Sequence, residues 1–141
     1  MSTNDAKPAP LTAGEREALL NAARAVLQHA YAPYSKFHVG AAILTESGTI
    51  YTGCNVENAS YGLTNCAERT AIFTAIAAEG PGMRLRAVAV ASDPVCPCAP
   101  CGACRQVIHE FGPQSLVLYP GVGGAVEERK AGELLPAGFV L

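Results

Sequence analysis

Charge is scarce in this chain. Only 16% of its 141 residues are Asp, Glu, Lys or Arg, against about 25% in an ordinary soluble domain. So thin a polar coat implies surface covered by another subunit, although abundant alanine would lower the figure in the same way. Neither sign dominates: ten Lys plus Arg against twelve Asp plus Glu leave a net charge of −2. That balance gives no electrostatic footprint for nucleic acid, and no basic run suits an anionic membrane surface. No apolar stretch reaches the roughly 18 residues needed to span a bilayer. The opening MSTNDAKPAP lacks the charged and apolar regions of a secretory signal. A cytoplasmic protein is the expectation, and there cysteines are usually reduced.

What is present reads as one domain, large enough for a real core. Residues 1–10 are polar with two prolines and are expected to form a flexible tail, so that residues 11–141 make the single domain. Thr12 followed by Glu15 is a capping box, and Leu19, Ala22, Ala23, Val26 and Leu27 recur at helical spacing. Pro33 places the end of this helix near Tyr31. FHVGAAILT (37–45) and TIYTGCNV (49–56) flank the turn Glu46-Ser47-Gly48 and read as paired strands. A helix is expected over 66–79. The continuous apolar run LRAVAVA (85–91) is expected to be a central strand. A helix over 101–111, a strand over 116–119, a weak strand near 125–128 and a short helix near 131–135 follow. The turn between the last two strands is too short for a parallel crossover, so they should be antiparallel. The order predicts an α/β fold with a mixed sheet of about five strands and helices on both faces.

Four of the six cysteines lie in CPCAPCGAC, residues 96–104. In a reducing compartment such a cluster reads as metal-binding or catalytic. Cys98, Cys101 and Cys104 begin a ferredoxin-like run, but position 108 is isoleucine where a fourth cysteine is needed. Cys101 and Cys104 alone could form a redox dithiol. A zinc knot made only from residues 96–104 would have to fold back within nine residues, two of them proline. A further reading reaches back to Cys66-Ala67-Glu68. Together with Pro100-Cys101-Gly102-Ala103-Cys104 it matches the zinc deaminase signature, Cys-x-Glu and later Pro-Cys-x-x-Cys. Three protein ligands leave a fourth zinc position open, as catalysis requires. All three cysteines would sit near helix N-termini, whose partial positive charge favours thiolates. Three thiolates on Zn²⁺ would leave a net charge of about −1, which Arg69 could offset; the alternative for Arg69 is an exposed helical side chain. Cys54 reads as a small hydrophobe, and Cys96 and Cys98 as spare thiols. His29, His38 and His109 fall outside the constellation.

With these motifs in place, the chain from Tyr31 on closely resembles a cytidine deaminase of the small, three-cysteine type. The resemblance is carried by YAPYSKFHVGAA (31–42), GCNVENAS (53–60), NCAERTA (65–71), PCGACRQV (100–107) and ELLP (133–136). It implies the three-layer α/β/α cytidine-deaminase fold and one zinc ion per chain, held by Cys66, Cys101 and Cys104. It implies hydrolytic deamination of cytidine and deoxycytidine, in pyrimidine salvage, with Glu68 as proton shuttle. Asn55 and Glu57 would hold the ribose. Two apart at a strand end they would face one side, although taken alone they read as a polar strand end entering a loop. Phe37, otherwise a core residue, would pack against the pyrimidine. Backbone groups near Ala67 and Cys101 would contact the base. The resemblance also implies a homotetramer, with Tyr34 and Tyr61 near subunit contacts and Phe139 completing a neighbour's site. The rival readings are a deaminase of a related cytosine nucleoside such as blasticidin S and a non-catalytic zinc or iron–sulfur module.

Overall fold

The computed structural model describes residues 10–141, so all but Pro10 of the expected tail lies outside the described residues. The first helix, α1 (Ala13–Val26), begins at the expected capping box. Thr12 Oγ1 accepts from the Glu15 N–H at 3.1 Å, and Glu15 Oε1 accepts from the Thr12 N–H at 3.1 Å. A short 3-10 turn, Leu27–His29, follows before the chain turns at Ala30.

Five strands form one mixed sheet: β1 (His38–Thr45), β2 (Ile50–Cys54), β3 (Leu85–Asp93), β4 (Leu116–Pro120) and β5 (Val126–Lys130), in the order β2-β1-β3-β4-β5. The β3–β4 pair is parallel and the others are antiparallel, including the last two as expected. The remaining helices are α2 (Ala67–Glu79), α3 (Gly102–Phe111) and the short α4 (Ala131–Leu134).

Strand alternation separates two apolar layers. On one face, Leu19 and Ala23 of α1 pack with Ala42 and Leu44 of β1 and Ala87 and Ala89 of β3. On the other, Ala71 and Ile72 of α2 and Ile108 of α3 pack with Val39, Ala41 and Ile43 of β1 and Val88 and Val90 of β3. Thus β3 presents alanines to α1 and valines to α2 and α3. Small residues let α1 sit close to the sheet. A β-carbon on Gly40 would stand 2.1 Å from the Ala23 carbonyl oxygen, so only glycine fits there. The Arg86–Glu15 ion pair, at 2.8 Å, ties α1 to β3 from the side.

The register explains where a site can form. Cys54, at the end of β2, pairs with Gly40, and Gly40 pairs with Ala91 near the end of β3. The chain therefore leaves β2 towards α2, and β3 towards α3, from the same edge of the sheet. Both helices start at that edge. Crevices beyond the carboxyl ends of strands are where open α/β sheets bind ligands.

Candidate active site

Cys66 is the N-cap residue of α2 and Cys101 that of α3, and neither side chain makes a capping hydrogen bond. Cys104 lies one turn beyond Cys101, so the two sulfurs share a side of α3. The sulfur atoms of Cys66, Cys101 and Cys104 all lie within 4.8 Å of one another, and those of Cys66 and Cys101 are 3.8 Å apart. Cys104 is buried, Cys66 half-buried and Cys101 exposed. Among the described residues no histidine, and neither Cys96 nor Cys98, joins this group.

The donor set fits zinc. Three soft sulfur ligands converge on one point, and two of them come from helix starts whose dipoles favour anions. Arg69 Nη2 donates to Cys66 Sγ at 3.2 Å, which places a fixed positive charge beside the cluster. Hydrogen bonding with Cys104, supported by Arg69 and Cys101, holds the Cys66 thiol well below the usual thiol range. The shared hydrogen bond pushes the Cys104 thiol up in turn.

Glu68 stands two residues into α2, with 4% of its surface exposed. Burial raises its carboxyl above the ordinary range, and the negative charge at Cys66 pushes the same way. A carboxyl raised towards neutrality is suited to take a proton and return it. Glu68, Cys66 and Cys101 open onto a cavity of about 240 Å³, whose walls include Phe37 and Asn55.

The position of α2 depends on Gly53. A β-carbon there would stand 2.4 Å from the Ala71 nitrogen and 2.7 Å from the Ala67 oxygen. Glycine lets the first turn of α2 rest against β2. Ala67 is fully buried in that contact and does not line the cavity.

Asn55 and Glu57 border two adjoining spaces. The ladder of β2 stops at Cys54 because Asn55 turns inward and bonds the start of β1. Asn55 Oδ1 accepts from the Val39 N–H at 2.8 Å, and Nδ2 donates to the Phe37 carbonyl at 2.8 Å. Asn55 thereby holds the backbone of Phe37 and keeps one amide hydrogen free. Glu57 lines an adjoining hollow of about 400 Å³ with Tyr34, Ser35, Tyr61 and Thr64. Thr64 borders both spaces. Glu57 Oε1 accepts from the Tyr34 and Ser35 N–H groups, and Oε2 from the Ser35 hydroxyl. These bonds, the Ser35 hydroxyl foremost, hold its carboxyl below the ordinary range.

Phe139 is 66% exposed and does not line the cavity of its own chain. Its carbonyl accepts from Gln106 Nε2 at 3.1 Å. Arg105 bonds the Pro100 carbonyl through Nε at 2.7 Å and the Leu134 carbonyl through Nη1 at 3.0 Å. The adjacent Arg105 and Gln106 thus fasten the C-terminal segment to the cysteine loop. Sequence reasoning gave them no role, although both stand inside the PCGACRQV motif. It also left Cys98 as a spare thiol, whereas Cys98 and Ala99 form part of the cavity wall.

Of the readings open on the sequence, a redox dithiol or a structural zinc knot has no need of a buried carboxylate beside the sulfurs. The site instead has the layout of a zinc-dependent aminohydrolase. Known proteins agree. The family model for the cytidine and deoxycytidylate deaminase zinc-binding region matches residues 14–119. The chain is 50% identical over 125 residues to a cytidine deaminase of Sporosarcina psychrophila, covering 87% of this chain and 90% of that protein. It is 47% identical over 127 residues to a cytidine deaminase of Halalkalibacterium halodurans, covering 89% and 94%. The crystal structure of cytidine deaminase from Burkholderia pseudomallei superposes with a TM-score of 0.81 at 52% identity, covering 92% of this chain and all of that one. The chain belongs to the cytidine deaminase family, a family of zinc-dependent enzymes.

Proposed function

We propose that residues 11–141 act as one deaminase domain that hydrolyses the 4-amino group of cytidine and of 2′-deoxycytidine. The products are the matching uridine nucleoside and ammonia. The observation that carries this reading is the meeting of a buried Glu68, its carboxyl raised by that burial, with three converging thiols in one cavity.

A zinc ion held by Cys66, Cys101 and Cys104 would supply the Lewis acidity that makes hydroxide available near neutral pH. Glu68 takes the proton from the attacking water and delivers it to ring N3, which makes C4 electrophilic. Once C4 is tetrahedral, Glu68 moves the remaining proton of the added hydroxyl to the amino group; the C4–N bond breaks as the C4=O bond forms, and ammonia leaves. Burial of Glu68 suits this shuttle, because raising a carboxyl's proton affinity makes it a better base for the water proton. Arg69 offsets the surplus negative charge of three thiolates on a divalent ion.

Phe37 packs against the pyrimidine, in a position fixed by Asn55 through the Phe37 carbonyl. The free amide hydrogen of Asn55 and the remaining accepting capacity of Glu57 Oε2 serve the ribose, across the border formed by Thr64. Backbone groups near Ala67, on the first turn of α2 that carries Glu68, and near Cys101 contact the base.

The assembly is a homotetramer in which Phe139 closes a neighbour's site. Supporting this are the exposed aromatic residues Tyr34 (50%), Tyr61 (76%) and Phe139 (66%), too many to leave in water without cost. No helix among the described residues is long and apolar enough to cross a membrane. A cytoplasmic enzyme of pyrimidine salvage, without a nucleic-acid partner, is in keeping with the near-neutral charge balance. The test is ultraviolet monitoring of the purified protein with cytidine, deoxycytidine, cytosine and blasticidin S. Turnover of the two nucleosides is expected. Turnover of blasticidin S alone, or of none, would overturn the assignment.

A further inference from the structure

Cys98 belongs to the loop between β3 and α3, outside the metal group, yet it lines the same cavity as Glu68, Cys66 and Cys101. Its place is well defined. The Cys98 N–H donates to the Pro120 carbonyl at 2.9 Å, which ties the loop to the end of β4. Its half-buried side chain packs against the core on the α2 and α3 face. Burial and the nearby carboxylate of Glu68 push the thiol up to about 11, so it stays neutral at physiological pH. A neutral, buried thiol is neither a nucleophile nor a competing ligand; it behaves as a small hydrophobe.

The cavity has polar reacting groups, Glu68 and the thiols, and apolar wall from two sources. Phe37 and Val39 come from the start of β1, and Cys98 and Ala99 from the loop after β3. In the deaminase reading, on which this inference rests, C4 of the base must reach the metal group and N3 must reach Glu68. Position 5 lies on the far side of C4 from N3, and we assign it to the apolar wall rather than to Asn55, Thr64 and Asn65, the polar residues that complete the lining. Phe37 already serves the ring, and Ala99 has no side chain beyond its β-carbon. Cys98 is the wall residue whose size leaves most room to vary.

We propose that Cys98 limits which substituents on the cytosine ring the enzyme accepts. One methylene more or less in an apolar subsite changes discrimination by roughly 10- to 200-fold. Lengthening residue 98 should therefore penalise a ring substituent, and shortening it should admit one.

The test compares wild type with Cys98→Ala, Cys98→Ser and Cys98→Leu. Each is assayed on cytidine, 5-methylcytidine and 2′-O-methylcytidine, by kcat/KM or, where turnover is too slow to follow, by Ki against cytidine. Cys98→Leu is expected to lower the 5-methylcytidine to cytidine ratio at least about tenfold, mainly through KM, and Cys98→Ala to raise it. Cys98→Ser, of nearly the same size, should leave the ratio within about twofold, which separates size from thiol chemistry. The 2′-O-methylcytidine ratio should not move in any variant, and zinc should stay at one per chain. If Cys98→Leu does not fold, the contrast of Cys98→Ala with Cys98→Ser decides. An unchanged ring ratio in Cys98→Ala overturns the proposal, as does a sugar ratio that moves equally or zinc lost from Cys98→Ala. Failure of wild type to deaminate cytidine would instead refute the deaminase reading.

Discussion

The substitution Gly53→Ala tests how finely the metal group is positioned from outside the cavity. Gly53 touches no sulfur; it supports the first turn of α2. The added β-carbon would meet the Ala71 nitrogen at 2.4 Å, the Ala67 oxygen at 2.7 Å and the Thr70 β-carbon at 2.9 Å. The first of these is roughly 1 Å inside the distance where ordinary contact begins, and two of the three are backbone atoms that no rotamer change can move. Either β2 or the start of α2 must shift by a comparable amount. Cys66 caps that turn and Glu68 lies within it. Metal ligands tolerate about 0.2 Å of error, and a misplacement of about 1 Å near a reacting centre can cost roughly 100-fold in rate. Overpacking adds about 1–3 kcal/mol of instability, a fall in Tm of roughly 3–12 °C for a chain of this size. Three measurements are needed: zinc per chain in the purified variant, Tm, and kcat/KM for cytidine. Gly82→Ala, where an added β-carbon meets nothing within 4 Å and φ is not positive, is the control and should match wild type. Wild-type zinc content, Tm and kcat/KM in Gly53→Ala would refute the reasoning.

Other outcomes follow from the same geometry. Glu68→Gln should keep zinc and fold but lose about 10²–10⁴-fold in kcat, because an amide cannot carry the proton; turnover within about tenfold of wild type would remove Glu68 from its role. Cys66→Ala and Cys101→Ala should purify without zinc, whereas Cys96→Ala and Cys98→Ala should retain it, as read by metal stoichiometry. Glu15, Glu57 and Glu79 are held below the ordinary 4.5, chiefly by Arg86, Ser35 and Ser47 respectively. Their folded values lie below their unfolded ones, so the stability they contribute is full above that value and is lost as pH falls through the folded values. The urea midpoint should therefore drop as pH falls below 4.5, with a shallower drop in Glu57→Gln. Mixed assemblies of inactive Glu68→Gln and impaired Phe139→Ala subunits should regain activity if Phe139 serves a neighbour; no recovery from proven hybrids would place it in its own subunit's site.

Much of this fold can be read from local signals. The capping box at Thr12 and Glu15 marked the start of α1, and the turn Glu46-Ser47-Gly48 marked the break between β1 and β2. The metal group was legible too, because the side chains involved have few other reasons to recur at that spacing beside Glu68. The end of β2 was not. A strand was expected through Val56, but beyond Cys54 the Asn55 carboxamide takes up the bonding to the backbone of Phe37 and Val39. Side-chain mimicry of a backbone partner over 16 to 18 residues leaves no periodic trace. The roles of Arg105 and Cys98 were hidden for a related reason. Each depends on a contact with a distant carbonyl, of Leu134 or Pro120, which only the folded chain brings near.

The uncapped starts of α2 and α3 have a further consequence. A serine or aspartate at either N-cap would normally contribute about 1 kcal/mol by bonding the helix's own free N–H groups. Cys66 and Cys101 make no such bond. Their sulfurs converge with that of Cys104, and a zinc ion held there would tie the two helix starts into one unit, while the thiolates would answer the positive ends of both dipoles. Such an ion would also be a structural cross-link between segments 35 residues apart in the chain. A chelator would act on this enzyme as a local denaturant as well as an inhibitor, loosening the turns that carry Glu68 and Cys104 together.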